Sequence, residues 1–148
     1  MPNLRDLTDL LFQLPRYQVL DPLGLAHTAI LTAWPADPDI WPGSFEGARE
    51  EVAAMIRLLV AGGPDGRAGD RVKLLAYGPE AILSAEKAVG GICEVVAANY
   101  GDIWLRDIGP IFYSKDRCAV FEFNGWGDKF VYDHDDTVGE QVAALAHA

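Results

Sequence analysis

Residues 99–110 read Asn-Tyr-Gly-Asp-Ile-Trp-Leu-Arg-Asp-Ile-Gly-Pro, a dozen positions that hold two carboxylates, one guanidinium and two aromatic rings. Apolar runs lie on both sides, at residues 92–97 and 111–113. The glycines and the proline interrupt regular structure. The pattern predicts a buried strand, a polar turn and another strand, an arrangement that holds charged groups firmly and often forms a binding site. The structural alternative is an Arg106–Asp107 ion pair that ties a loop to its neighbour.

The rest of the chain alternates between helical and strand-like patterns. Strands are predicted at residues 27–34, 72–77 and 92–97, helices at 4–14, 45–61, 80–89 and from 137 onward, and a hairpin at 110–123. This order predicts an α/β domain in which helices cover a sheet. The helix at 45–61 carries an apolar stripe, and its periodicity places Arg49 on the opposite, polar face. No strand follows the last helix, which predicts an incomplete fold.

Composition narrows the classes of function. The 148 residues are enough for one domain with a real core. With 22 acidic and 12 basic residues the net charge is −10, which disfavours nucleic acid as a partner and favours a small cation. Cys93 and Cys118 suggest neither a disulfide framework nor a metal site, and a reducing, cytoplasmic compartment is expected. No apolar run is long enough to predict a membrane span.

The chemistry of Asp107 leaves three possibilities open. It can bind a metal, for which Asp102 and the acidic group at residues 133–136 are the nearest additional ligands. It can act with Asp102 as an acid–base pair. It can also accept two parallel N–H bonds from a guanidinium, with an aromatic wall such as Trp104 or Trp126 adding cation–π attraction.

Four short blocks occur in a fixed order along the chain. They are Ala33-Trp34-Pro35, Trp104-Leu105-Arg106-Asp107-Ile108-Gly109-Pro110, Phe123-Asn124-Gly125-Trp126-Gly127 and Asp133-His134-Asp135-Asp136. Together they resemble the agmatine deiminase family, the bacterial-type peptidylarginine deiminase branch of the guanidino-group-modifying enzymes. The resemblance covers residues 27–142, while residues 1–25 match poorly.

The resemblance implies a pentein fold, in which five ββαβ modules surround a central channel that holds the active site. Residues 1–148 would form a single N-terminal part of such a domain, about two of the five modules. The implied reaction is hydrolysis of agmatine to N-carbamoylputrescine and ammonia, without a cofactor. Asp107 matches the aspartate that binds the guanidinium in this family. The other residues expected at the substrate site are Trp104, Asp102, Trp126 and Trp34.

The chain departs from the family at the nucleophile. In the family a histidine and a nucleophilic cysteine lie far downstream, and neither Cys93 nor Cys118 has the glycine turn or adjacent histidine that would expose and activate a thiol. His27 and His134 do not match the catalytic histidine. The chain alone is therefore expected to be inactive, with a homodimer or a complementary C-terminal chain as possible partners. The alternative is a non-catalytic module that binds guanidinium groups or a partner.

Residues 124–128 form a second glycine-broken loop, called the second loop, whose residues bear on substrate choice. Family members that act on peptide C-terminal arginine resemble one another in carrying arginines after the asparagine of this loop, where they meet the substrate carboxylate. Here the corresponding positions are Gly125, Trp126, Gly127 and Asp128. An indole and a carboxylate suit an alkyl chain and a cation. The sequence therefore favours agmatine over peptidylarginine.

Overall fold

The computed structural model describes residues 28–64, 66, 68–114 and 116–146. In chain order the elements are β1 (Ile30–Ala33), α1 (Phe45–Ala61), β2 (Val72–Ala76), α2 (Gly78–Val89), β3 (Glu94–Ala97), α3 (Leu105–Ile108), β4 (Ile111–Ser114), β5 (Arg117–Ala119), a left-handed turn (Gly125–Asp128) and α4 (Val138–Ala146). The mixed α/β character predicted from the sequence is confirmed. The helix predicted at residues 4–14 lies outside the described residues, and α3 falls where the sequence predicts only a turn.

The main sheet is parallel, with strand order β1-β2-β3. Helices α1 and α2 make the crossovers that parallel strands require. β4 and β5 pair separately as an antiparallel hairpin. Because the three parallel strands end at the same edge of the sheet, the segments that follow them converge there. None of the helices within the described ranges combines the length and the apolar character needed to cross a bilayer.

Each face of the sheet supports a separate apolar cluster. Adjacent residues of β2 point to opposite faces: Leu74 packs in the cluster that includes residues from α1 and α2, and Leu75 packs with Ile108 and Val138. The second cluster therefore anchors α3 and the start of α4 against the sheet. This packing fixes the position of the polar stretch at residues 99–110.

Arg49 is the main departure from the predicted pattern in α1. The periodicity places it on a polar face, yet the residue is 5% exposed. Its Nε donates to the Pro35 carbonyl at 3.0 Å, and its two Nη atoms donate to both carboxylate oxygens of Glu80 at 3.0 and 2.8 Å. The guanidinium also lies 4.0 Å from the centroid of the Phe45 ring. A planar, multiply bonded guanidinium can be buried here because α2 and the β1–α1 loop supply its partners.

Tyr100 connects the loop after β1 to the residues that follow β3. Its hydroxyl donates to the Trp34 carbonyl at 2.6 Å and accepts from the Tyr77 backbone N–H at 3.2 Å. Burial raises the pKa of Tyr100 well above the usual phenol value, so the hydroxyl keeps its proton. The carboxyl ends of β1, β2 and β3 are thus joined through one side chain.

Replacing Tyr100 with phenylalanine should lower the free energy of unfolding by about 1–3 kcal/mol, since the buried Trp34 carbonyl loses a short hydrogen bond. Urea denaturation measures the change. Tyr113→Phe is the matched control, because that ring is half exposed and should change stability by less than about 0.5 kcal/mol. Equal stability of the two variants would show that the Tyr100 hydroxyl does not stabilise this junction.

Candidate functional site

Two exposed residues lie at the one-turn helix α3: Trp104 directly before its first residue and Asp107 within it. Ile108 is buried in the second cluster and Leu105 packs against it, so these two residues face the sheet. Trp104, which is 53% exposed, and Asp107 lie three positions apart and point away from that face. The Asp107 backbone N–H donates to the Trp104 carbonyl at 2.9 Å and closes the turn. The apolar pair therefore anchors the helix, while the polar pair remains accessible.

The accessible pair on α3 suits a planar cation. A carboxylate accepts two N–H bonds from one guanidinium, and an adjacent indole face attracts the same positive charge. No ion pair joins Arg106 to Asp107 in the described part of the chain, so the structural alternative raised by the sequence is not found there. The Asp107 side chain is not engaged by its neighbour in sequence.

A buried carboxylate from the acidic block at residues 133–136 fixes the turn that leads into α3. Asp135 is 2% exposed, and its Oδ1 accepts from the backbone N–H groups of Gly101 at 2.8 Å and Asp102 at 3.1 Å. The Asp102 Oδ1 in turn accepts from the Ile103 N–H at 2.7 Å. Three backbone donors of the turn are thereby satisfied by two carboxylates, which holds the entry to α3 in one conformation.

The pKa values of Asp102 and Asp135 are both raised. Burial raises the pKa of Asp102, opposed by the hydrogen bond from Ile103 and assisted by the nearby charge of Asp135. Burial likewise raises the pKa of Asp135, opposed by the N–H groups of Gly101 and Asp102. A hydrogen bond from the Trp104 side chain also opposes the rise in the pKa of Asp102, so this pair holds both the loop and the Trp104 indole in place.

A second contact joins the start of the same stretch to α4. The Asn99 backbone N–H donates to Gln141 Oε1 at 3.0 Å, and Gln141 Nε2 donates back to the Asn99 carbonyl at 3.0 Å. The side-chain amide of Gln141 thus replaces a backbone partner beyond the end of β3. Residues 99–102 are held at both ends by the segment at 133–141.

The second loop contains a left-handed turn. Trp126 and Asp128 have φ values of 54° and 61°, and the flanking Gly125 and Gly127 also lie in the left-handed region. The Asn124 side chain accepts from the Gly127 N–H at 3.0 Å and helps to maintain the turn. Non-glycine residues pay a steric cost in this conformation, and such strain concentrates at functional sites.

Comparison with known proteins identifies the family. Residues 25–148 match the family described as Porphyromonas-type peptidyl-arginine deiminase. The chain belongs to this family. The match includes α3 and the left-handed turn, so the two loops described above lie within the region that the family shares.

Curated relatives carry agmatine deiminase names. A putative agmatine deiminase of Streptomyces coelicolor is 29% identical over 137 residues, which are 87% of this chain and 38% of the relative. An agmatine deiminase of Pseudomonas aeruginosa is 25% identical over 128 residues, 80% of this chain and 33% of the relative. The chain thus spans about a third of the length of these relatives.

A solved structure supports the same fold. The agmatine deiminase of Enterococcus faecalis, described as catalysing its reaction, superimposes with a TM-score of 0.62 at 20% identity. The superposition covers 80% of this chain and 33% of the solved chain. The described residues therefore adopt part of the fold of that enzyme.

The predicted substrate residues fall into four places. Trp104 directly precedes α3, and Asp107 lies within it. Trp126 lies in the second loop, where its ring makes an edge contact with Phe123 at a centroid distance of 4.9 Å. Trp34 is 1% exposed inside the first apolar cluster and Asp102 is 6% exposed within its turn, so both of these predicted substrate residues are buried among the described residues. Trp34 directly follows β1 and its carbonyl accepts a hydrogen bond from Tyr100, and Asp102 lies against the segment that contains Asp135.

The cysteines have the surroundings of structural thiols. Cys93 is half buried, its Sγ lies 3.7 Å from the Val89 carbonyl, and burial raises the pKa of its thiol, whereas a nucleophile needs a lowered one. Cys118 lies half buried in β5. Among the described residues no group of three or more His, Cys, Asp or Glu side chains is arranged to hold a metal ion.

Sequence reasoning does not single out Asp135, Tyr100 or Gln141. Asp135 belongs to the acidic block at residues 133–136, but loops have no periodicity that predicts which of four neighbouring residues is buried. Gln141 falls on the helix predicted from residue 137, four positions after Thr137, and its Nε2 also donates to the Thr137 hydroxyl at 3.1 Å. An amide one turn into a helix is the available signal for this contact, and it is weak.

Proposed function

We propose that this chain provides the guanidinium-binding part of an agmatine deiminase, an enzyme that hydrolyses agmatine to N-carbamoylputrescine and ammonia. The observation that carries the proposal is that Trp104 and Asp107, three positions apart at α3, are both exposed. Family membership and the names of the relatives support the choice of agmatine. The wider surroundings are acidic, with a net charge of −10, which favours a cationic substrate.

In this proposal Asp107 accepts two N–H bonds from the guanidinium while the Trp104 ring covers its face. Fixing the planar group in this way holds its central carbon for attack and offsets part of the entropy cost of the reaction. A cysteine thiolate outside these 148 residues forms the S–C bond, a C–N bond breaks and ammonia leaves with the transferred proton. Water then attacks the same carbon, the S–C bond breaks, and N-carbamoylputrescine and the free thiolate are released. These steps need no cofactor.

The proposal extends to the assembly. The described sheet, its helices and the hairpin correspond to about two of the five modules of a pentein, and residues 1–148 act as a single unit. The remaining modules come from a complementary C-terminal chain, with a homodimer as the alternative. We place the enzyme in the cytoplasm, which suits the two free thiols.

The 148-residue chain by itself should not turn over agmatine, because neither cysteine is arranged to act as a nucleophile. The purified chain is incubated with agmatine, and ammonia and carbamoylputrescine are measured. Both products should stay at the level of the buffer blank. Turnover that is lost on changing Cys93 or Cys118 to serine would contradict the placement of the nucleophile outside this chain.

The description of the family favours a second candidate, peptidylarginine deimination. The two candidates differ at the far end of the substrate, where agmatine has no carboxylate. The chain should bind agmatine at least about tenfold more tightly than free arginine or a C-terminal arginyl peptide, because the second loop offers Asp128 in place of a cation. Isothermal titration of the three compounds, followed by kcat/KM for an assembled enzyme, makes the comparison. Equal or reversed preference would favour the peptidylarginine activity.

A non-catalytic module that binds guanidinium groups is the remaining alternative. It shares Trp104 and Asp107 with the first proposal and differs only in needing no complementary nucleophile. Mixing the chain with a polypeptide that corresponds to the remaining two thirds of the relatives separates the two alternatives. Ammonia release by the mixture supports the enzyme, and agmatine binding without ammonia release supports the module.

A further inference from the structure

The antiparallel hairpin exposes apolar side chains on both of its faces. Ile111, Phe112 and Tyr113 make up most of β4, and they are between 43% and 59% exposed. Adjacent residues of a strand point to opposite faces, so neither face of β4 is fully covered by the described residues. Val120 and Phe121, just beyond β5, are also exposed. We call these five side chains the hairpin surface.

The backbone of the hairpin is also left open. Within the described ranges, β4 and β5 pair only with each other, so each has one edge without a strand partner. A strand as apolar as β4 is typical of a sheet that is covered on both faces. Several large apolar side chains that are exposed together usually mark a site of association. Another polypeptide can cover these side chains and extend the sheet at a free edge.

The rest of the fold holds the hairpin in a defined position. A Cβ atom added at Gly139 of α4 would lie 2.7 Å from Val120 Cγ1, which shows how closely α4 approaches the end of the hairpin. On the other side, β4 begins three residues after Ile108, which is buried in the second apolar cluster. A surface that is already ordered loses little conformational entropy on binding, which favours association.

The lengths of the relatives indicate what covers the hairpin surface. The chain spans about a third of the curated relatives and of the solved enzyme, so most of that fold lies outside the matched part. A second copy of this chain fits less well, because two chains that each have a net charge of −10 repel each other.

We infer that the hairpin surface is the docking face for a polypeptide that corresponds to the remaining two thirds of the relatives; this inference rests on the function proposed above. Ile111 follows Asp107 by four residues, so their Cα atoms are at most about 14 Å apart. A polypeptide docked against Ile111 is therefore close enough to contribute side chains to the guanidinium site. Docking at this face both covers the exposed apolar residues and completes the site.

The test combines the full 148-residue chain with the part of the Streptomyces coelicolor relative that lies outside its match to this chain. The two polypeptides are co-expressed, the complex is isolated through a tag on the second, and sedimentation velocity gives its mass. Hydrogen–deuterium exchange compares β4 and β5 in the complex and in the chain alone. Phe121→Lys and Ile111→Lys alter the hairpin surface. Leu83→Lys is the matched control, because Leu83 lies on α2 and is 71% exposed, against 62% for Phe121.

We expect a complex that contains one copy of each polypeptide, with exchange at β4 and β5 slowed at least about tenfold. Phe121→Lys and Ile111→Lys should each weaken association at least about tenfold, and Leu83→Lys should leave it unchanged. The docking face is refuted if no complex forms, if β4 and β5 exchange equally fast in the complex, or if all three variants associate normally. A dimer of the chain alone with the hairpin protected would refute it in favour of a second copy.

Ammonia release from agmatine by the same complex tests the proposed function separately. A complex that protects the hairpin but releases no ammonia would support the docking face and contradict the proposed enzyme. Ammonia release by a complex in which the hairpin exchanges freely would support the enzyme and refute the docking face.

Discussion

Replacing Asp107 with asparagine should weaken agmatine binding to this chain by about 30-fold, or roughly 2 kcal/mol, because a charge-assisted bidentate contact is lost. In an assembled enzyme that shields the site from water, the loss in kcat/KM should reach about 2–4 kcal/mol. The fold should be unaffected, since Asp107 is exposed on α3 and asparagine keeps its volume. Isothermal titration and circular dichroism measure the two effects.

Arg106→Gln is the matched control for this variant. Arg106 neighbours Asp107 and is also exposed, and no ion pair joins the two among the described residues. The control should bind agmatine as the unchanged chain does. Near-normal binding by Asp107→Asn, or equal losses in both variants, would mean that the carboxylate does not hold the guanidinium.

Replacing Gly101 with alanine should destabilise the protein by about 3 kcal/mol, at the upper end of the cost of overpacking. A Cβ atom at this position would lie 2.4 Å from the Tyr132 Cβ and 2.9 Å from the Asp133 carbonyl oxygen. Neither atom is the end of a flexible side chain, so the two loops would have to separate. Separation would also break the hydrogen bonds that the Gly101 and Asp102 N–H groups donate to Asp135, and would release the entry to α3.

Gly47→Ala is the control for Gly101→Ala. Gly47 lies in α1, and no atom lies within 4 Å of the Cβ that would be added. Alanine should therefore raise the free energy of unfolding by about 0.5–1 kcal/mol, the usual helix preference over glycine. Urea denaturation of both variants measures the two changes in the free energy of unfolding, which should have opposite signs. A Gly101→Ala protein as stable as the unchanged chain would contradict the close packing of the two loops.

The secondary structure could be predicted wherever a repeating pattern exists. Parallel strands show as apolar runs and α1 as an apolar stripe, and both agree with the structure within a few residues. Arg49 departs from its predicted exposure because its partners, Pro35 and Glu80, are distant in sequence. Helix α3 is missed because four residues contain no periodicity, and the burial of Leu105 and Ile108 decides their conformation.

Part of the candidate site could be predicted from the sequence because some of its residues lie close together in one motif. Trp104 and Asp107 are recognisable because a short motif contains them both, and both are exposed in the structure. Trp34 appears in a similar motif but is buried, and burial is a property of the packed sheet rather than of the motif. The role of Asp135 depends on hydrogen bonds to a turn 33 or 34 residues earlier, which no local pattern encodes.

The most direct test of the guanidinium site follows the indole N–H signals of the four tryptophans by NMR while agmatine is added. Trp104 should shift in a saturable way, because its exposed ring covers the bound guanidinium, and the shift should disappear in Asp107→Asn. The Trp34 signal should not move, since that ring is buried in the first apolar cluster. Saturation of agmatine binding with an unchanged Trp104 signal, or the same shift in Asp107→Asn, would contradict a guanidinium site on α3.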